Sequence, residues 1–226
     1  MRIAVLGSGM VGRTLAARLD QLGNDVMLGT RDPGTTLART EPDAMGNPGF
    51  ATWASVHLDV TVTTFDEAAA TAELVVNATS GVASLEVLEA AGAENLAGKV
   101  LLDVANPLDF SHGFPPTLLV KDTDSLAEQI QRAFPAARVV KSLNTMTANV
   151  MVDPEQLAGG DHTVFVSGND AEAKQTVTEL LESFGHSDVI DLGDLSTARG
   201  AEMLLPVWLR LYGALGTPVF NFKVVR

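Results

Sequence analysis

Residues 7–12 read Gly7-Ser8-Gly9-Met10-Val11-Gly12 and follow directly on the apolar run Ile3–Leu6. Beyond them Val11, Leu15, Leu19 and Leu22 recur at helical spacing, and Gly23 supplies a stop. A strand, three glycines at this spacing and a helix make the opening turn of a dinucleotide-binding βαβ unit. Gly7 permits the tight turn, Gly9 lets the backbone approach a pyrophosphate, and Gly12 lets helix pack closely on strand. The helix N-terminus then presents unpaired amides and a positive dipole end to the phosphates, with Ser8, Met10 and Val11 completing the binding turn.

The rest of the chain extends this pattern. Asp25–Leu28, Asp59–Thr63, Leu74–Asn77, Lys99–Val104 and Arg138–Leu143 read as short buried strands, and Val82–Ala91 and Ser125–Phe134 as helices between them. Such alternation predicts an α/β protein with a Rossmann, doubly wound, mostly parallel sheet. After about residue 146 the character changes. His162–Ser167 reads as a strand, and Asn169-Asp170-Ala171-Glu172 has capping-box spacing ahead of a helix. That helix carries Ala173, Val177, Leu180, Leu181 and Phe184 on one face and stops at Gly185; a strand at Asp188–Leu192 follows. Leu195–Tyr212 is apolar nearly all round, with Pro206 set to kink or break it. The expected division is a nucleotide-binding domain at 1–146 and a smaller α/β domain at 147–226. Asp32–Phe50 is the longest loop candidate.

Composition removes whole classes of chemistry. Fifteen Lys and Arg against 28 Asp and Glu give a net charge of −13, and no basic cluster appears, so neither nucleic acid nor an anionic membrane is the expected partner. There is no cysteine, which excludes disulfides, thiolate nucleophiles and cysteine metal sites. The four histidines are scattered, and no metal is expected; His112 alone lies near the expected site. With no signal peptide and no apolar stretch long enough to span a bilayer, the expected location is the cytoplasm.

The second strand runs into Gly29-Thr30-Arg31-Asp32-Pro33. A hydroxyl at Thr30 and a guanidinium at Arg31 suit a 2′-phosphate, hence NADP. Asp32 either holds a ribose hydroxyl, as an NAD enzyme requires, or caps a turn ahead of Pro33; the proline favours the cap. Three strands end in asparagine: Asn77-Ala78-Thr79-Ser80, Asn106-Pro107 and Asn144-Thr145. All three ends are expected on one sheet edge. Thr79 and Ser80 would face the second ribose or the nicotinamide side, and Asn106 and Asn144, the cleft candidates for a catalytic role, would border the reacting ring. No general acid sits beside them, which suits hydride transfer between two bound rings.

Together these blocks resemble the NADP oxidoreductases that depend on coenzyme F420, a 5-deazaflavin. The resemblance rests on Ile3–Gly12, Gly29-Thr30-Arg31, Val75–Thr79, Leu102–Pro107, Val140–Thr145, Phe165–Asp170 and the region of Ala201-Glu202. It implies NADP on the N-terminal domain, a small C-terminal domain, and a hydrophobic cleft between them where the two ring systems stack and exchange a hydride. By position, Thr30 and Arg31 look like the family's 2′-phosphate residues. Asn77, Ala78, Thr79 and Ser80, with Ala105, Asn106 and Pro107, look like its nicotinamide-side residues. Ferric-reductase Rossmann domains and pyrroline-carboxylate reductases share the N-terminal half. Two alternatives stay open: an NADPH-dependent reductase of a flavin, ferric chelate, or small carbonyl or imine, and a non-catalytic NADPH-binding sensor. Met203–Phe222 is too apolar for a one-sided helix and is expected to wall the cleft, form a homodimer interface, or both.

Overall fold

The computed structural model describes residues 1–43 and 46–226. Ala44 and Met45, inside the expected Asp32–Phe50 loop, lie outside the described residues. The first half contains β1 (Arg2–Leu6), α1 (Met10–Gln21), β2 (Asp25–Thr30), α2 (Pro33–Leu37), α3 (Phe50–Val56), β3 (Thr61–Thr64), α4 (Phe65–Thr71), β4 (Leu74–Asn77), α5 (Ser84–Ala91), α6 (Ala93–Leu96) and β5 (Val100–Asp103). A small hairpin, β6 (Leu108–Asp109) and β7 (Thr117–Leu118), precedes α7 (Leu126–Ala133) and β8 (Arg138–Ser142). The remainder is α8 (Ala148–Val152), β9 (Thr163–Gly168), α9 (Ala171–Phe184), β10 (Asp188–Gly193), α10 (Ala198–Met203) and α11 (Leu205–Leu215).

Eight strands form one sheet in the order β10-β9-β8-β5-β4-β1-β2-β3. Neighbours from β8 through β3 are parallel, whereas β9 runs antiparallel to β8 and carries β10 parallel to itself. Side chains alternate between two cores. Ile3, Val5, Leu74, Val76, Val100 and Leu102 pack with α1, α8 and α9 on one face. Ala4, Leu6, Val75, Leu101 and Val139 pack with α4, α5 and α7 on the other. Burial on both faces is why these strands read as continuous apolar runs. The core on the first face takes in Val150, Val166 and Val177 together with Leu15 and Leu28, so sheet and core cross residue 146 without a break.

Local chemistry explains most boundaries. Gly23, at φ +80°, closes α1 by donating to Asp20 O. Ser125 Oγ caps α7 by accepting from Glu128 N, and Gly185 in the left-handed region ends α9. Two expectations are corrected, and a third, the break near Pro206, is met. Asp170, not Asn169, caps α9 by accepting from Ala173 N, while Asn169 Oδ1 accepts from Leu195 N. The third strand starts at Thr61, because Leu58-Asp59 sits in a turn after α3. The apolar stretch at 195–212 is two helices broken at Leu204, with Pro206 in the first turn of α11, where its missing N–H costs nothing.

Candidate nucleotide and substrate cleft

The order reverses beside β1, whose neighbours are β2 on one side and β4 on the other. A crevice therefore opens at the carboxyl ends of β1 and β4, the position where doubly wound sheets take their ligands. Gly7 lies at φ +122°, and a Cβ there would sit 2.6 Å from Ala78 O. A Cβ on Gly12 would come within 1.9 Å of Gly7 O. Gly9 is different. It precedes α1 with no side-chain cap, no acid follows in the first turn, and a Cβ there would meet nothing within 4 Å. The three glycines thus divide into two that let elements touch and one that leaves room in front of free amides. That room is the fit a pyrophosphate requires.

One cation reaches this turn from the loop after α2, and a second, on α1, holds that loop in place. Arg39 Nη2 donates to Ser8 Oγ at 2.8 Å and to Ser8 O at 3.3 Å, with its guanidinium 5.3 Å above the Phe50 ring. Buried Arg13 braces the same loop through Pro48 O at 2.7 Å and Asp43 Oδ2 at 3.0 Å. Sequence reading missed Arg39, because nothing local marks a loop arginine that folds back over residue 8. Thr30 is buried, its hydroxyl 2.8 Å from that of Thr36. Arg31 stands exposed at the rim, 74% accessible, and pairs with Glu86 at 2.6 Å. Asp32 caps α2, its Oδ1 accepting from Thr35 N at 2.9 Å, and that backbone bond holds its carboxyl below the usual carboxylate range. The acid at this position is turned into its own helix.

Of the three asparagines, only two line the cleft. Asn77 is wholly buried; it donates to Asp103 Oδ1 at 2.8 Å and Ser84 Oγ at 3.1 Å, and accepts from Thr79 Oγ1 at 2.7 Å. Its side chain ties β4 to β5 beneath the turn formed by Ala78, Thr79 and Ser80, which do face the cavity. Asn106 and Asn144 face the cavity but spend their amides on each other: Asn106 Nδ2 donates to Asn144 O, and Asn144 Nδ2 to Asn106 Oδ1 and Ala201 O, at 2.9–3.0 Å. Ala105 lines the floor; Pro107 lies behind it, where Gly81 lets the two turns approach, since a Cβ there would sit 2.1 Å from Asn106 O. His112 is exposed on the β6–β7 loop and does not line the cavity.

Beneath the floor lies a charge cluster that sequence reading also missed. Lys141, in the apolar run Val139-Val140-Lys141-Ser142, is completely buried. Its Nζ donates to Asp103 Oδ2 at 2.8 Å and Ala105 O at 2.5 Å, and lies 2.9 Å from Glu202 Oε1. Glu202 in turn accepts from Leu126 N and Ala127 N at the start of α7. One lysine therefore joins β5, β8, α7 and α10 directly under Ala105. A cation inside an otherwise apolar strand was the available signal.

The cavity itself holds about 350 Å3. Met10 and Val11 come from α1, Met146 and Met151 from the β8–α8 region, Phe110 and Phe114 from the β6–β7 loop, and Leu205, Trp208, Leu209 and Tyr212 from α11. Trp208 stacks on Tyr212 and Phe220 with centroids 5.8 and 5.1 Å apart, and Phe114 meets Tyr212 edge-on at 6.5 Å. Among the described residues Tyr212 is the one titratable side chain in the lining. Among the described residues no group of His, Asp and Glu is placed to hold a metal ion, and no helix is long and apolar enough to cross a membrane.

Residues 2–107 match the family described as NADP oxidoreductase, coenzyme F420-dependent. A provisionally named F420-dependent NADP-reductase from Arthrobacter sp. FB24, solved at 1.70 Å, is 65% identical over the whole of both chains, with a TM-score of 0.96. The chain belongs to this family. Within this F420-dependent family of oxidoreductases, the F420-dependent NADP reductase of Methanocaldococcus jannaschii is 27% identical over 226 residues, 97% of each chain. Metalloreductase STEAP3 of Rattus norvegicus is 31% identical over 217 residues; the alignment takes in 92% of this chain but 38% of the STEAP3 length. The family match runs from β1 to the turn after β5, so it covers the glycine turn, the Thr30–Arg31 corner and the Ala105–Asn106 part of the cavity floor, and leaves Asn144 and the α10–α11 wall outside it.

Proposed function

We propose that this NADP-family oxidoreductase passes a hydride between NADP(H) and a deazaflavin of the coenzyme F420 type, bound ring against ring in the cleft. The observation that carries this reading is the lining: aromatic and methionine side chains around a slot open to the nucleotide turn, with both polar amides already paired to each other. Bound NADP supplies the hydride chemistry. The protein's part is to hold, orient and exclude water. In this reading 1–146 holds the dinucleotide: Gly7–Gly12 the pyrophosphate, Thr30 and Arg31 the 2′-phosphate, and the turns at Ala78–Ser80 and Ala105–Asn106 the nicotinamide side. Segment 147–226 supplies most of the opposite wall, completed by Phe110 and Phe114 of the β6–β7 loop. Asn106 and Asn144 act as a rigid floor, and no side chain there is called on to donate a proton. Mixing the protein with NADPH and, separately, F420, FMN and ferric citrate tests it: loss of NADPH absorbance with F420 alone is expected. Turnover only with flavin or ferric chelate would shift the assignment to those acceptors, and tight NADPH binding without any turnover would leave a sensor.

Arg31→Ala is expected to erase the preference for NADPH over NADH. A charge-assisted bond to phosphate contributes roughly 1.5–3 kcal/mol, and exposure together with competition from Glu86 puts Arg31 at the lower end, about tenfold. Titrating both cofactors into wild type and variant measures it; equal affinities in wild type would return Asp32 to the ribose.

Val207, Leu215 and Val219 leave an exposed apolar flank on α11 and the tail. We read it as a homodimer face. Light scattering should give twice 23.7 kDa for wild type and one chain's mass for Val207→Glu. A monomeric wild type removes the dimer.

A further inference from the structure

A second cavity of about 330 Å3 lies beside the main one, and the same two elements wall both. On α11, Leu205, Trp208, Leu209 and Tyr212 fall at i, i+3, i+4 and i+7 and face the ring slot; Pro206 and Arg210 occupy the adjacent stripe and face the second cavity. Leu209 lines both, so the spaces are contiguous along the helix. On the other side, the β6–β7 loop gives Phe114 to the slot and Pro115 onward to the second cavity, with Lys121 just beyond β7.

The charge of this annex stands out against the chain. The protein is acidic, and many of its cations are held by carboxylates, as in Arg31–Glu86, Arg132–Asp124, Lys174–Asp191 and Arg199–Glu128. Lys121 and Arg210 form no ion pair with any described residue, and no carboxylate lines the space between them. They lie 89 positions apart in sequence, so no basic cluster is visible until the hairpin and α11 meet. Two unneutralised cations facing one groove in a protein of net charge −13 form a local attractor for an anion. The groove's continuity with the ring slot says what carries that anion.

We infer that the second cavity seats a phosphate-bearing arm on the ring substrate, with Lys121 and Arg210 as its two cationic contacts. The inference rests on the hydride-transfer reading and adds the substrate class: a flat ring joined by a flexible linker to phosphate, rather than a neutral ring or a bare chelate. FMN and F420 share that chemistry, and riboflavin offers the flavin ring without it.

The test is equilibrium binding of riboflavin, FMN and F420 to the intact protein, read by ligand fluorescence without turnover. Wild type is compared with Lys121→Gln/Arg210→Gln; both residues are exposed, so the fold is not at stake. Each exposed charge contact is worth up to about fivefold, so the double variant should lose about tenfold or more for FMN and F420. Riboflavin and NADPH affinities should stay within about twofold, and about 1 M salt should erase the difference, since screening there acts within about 3 Å. Tighter binding of either FMN or F420 supports the groove and tells which linker it fits. A double variant that binds both FMN and F420 as tightly as wild type overturns it. The two readings fail separately: charge-dependent binding without hydride transfer sinks the reaction and keeps the groove, whereas F420 reduction with unchanged binding in the variant does the reverse.

Discussion

Gly9→Val loses NADPH binding by at least about a hundredfold, roughly 2.7 kcal/mol, while its circular dichroism stays that of wild type. The expectation follows from where the new atoms go. A Cβ at residue 9 meets no protein atom within 4 Å, so the fold has nothing to resist, yet it enters the space in front of the α1 amides. Gly12→Ala is the control with the opposite signature. Its Cβ is driven to 1.9 Å from Gly7 O, a backbone atom that cannot swing aside, and the expected result is a lower melting temperature. Isothermal titration paired with thermal melts separates the two. A Gly9→Val protein that binds NADPH normally places the phosphates elsewhere.

The largest stability effect is expected at Lys141. Lys141→Met keeps the volume but leaves Asp103 and Glu202 buried without their cation, a loss of about 3–5 kcal/mol. For a chain of this size each kcal/mol moves the melting temperature by about 2–4 °C, so a fall of roughly 6–20 °C should appear by calorimetry. Burial alone pushes the Lys141 ammonium toward deprotonation, but the Asp103 and Glu202 carboxylates beside it win and raise its pKa above the ordinary lysine value. A raised lysine pKa means the native state grips the proton more tightly than the unfolded chain. Its contribution is complete below the unfolded value near pH 10.4 and is lost as pH climbs through the native one. Wild type should therefore weaken at strongly alkaline pH along a limb that Lys141→Met lacks. A variant that melts within about 3 °C of wild type shows that the cluster adds nothing net.

The framework of this protein was legible because its signals are local. Alternating apolar runs located the eight strands of the main sheet to within one or two residues, and glycines marked the ends of α1 and α9 where they were expected. The site was legible only where backbone makes it. The glycine turn and the cap at Asp32 follow from residues a few positions apart. Arg39 over Ser8, Lys141 under Ala105, and the pairing of Asn106 with Asn144 join residues 31 to 38 positions apart, and no periodicity encodes such meetings. Asn77 shows the converse: its neighbours point to a pocket residue, but burial gives its amide to Asp103 and Ser84. The two-residue strands of the β6–β7 hairpin are too short to leave any pattern at all.

The two sides of the cleft are made of different material. The nucleotide side is chiefly main chain: glycines, free amides and strand ends, whose shape survives most exchanges of neighbouring side chains. The opposing wall is nearly all side chain, drawn from one short helix, one hairpin loop and a tail that stacks Phe220 on Trp208. Exchanging Trp208 or Phe114 reshapes the slot without moving an atom of the glycine turn. A fold divided in this way can change the second substrate of its oxidoreductase chemistry by drift in its last thirty residues while the glycine turn stays the same, and libraries meant to change that substrate belong on α11 and the hairpin.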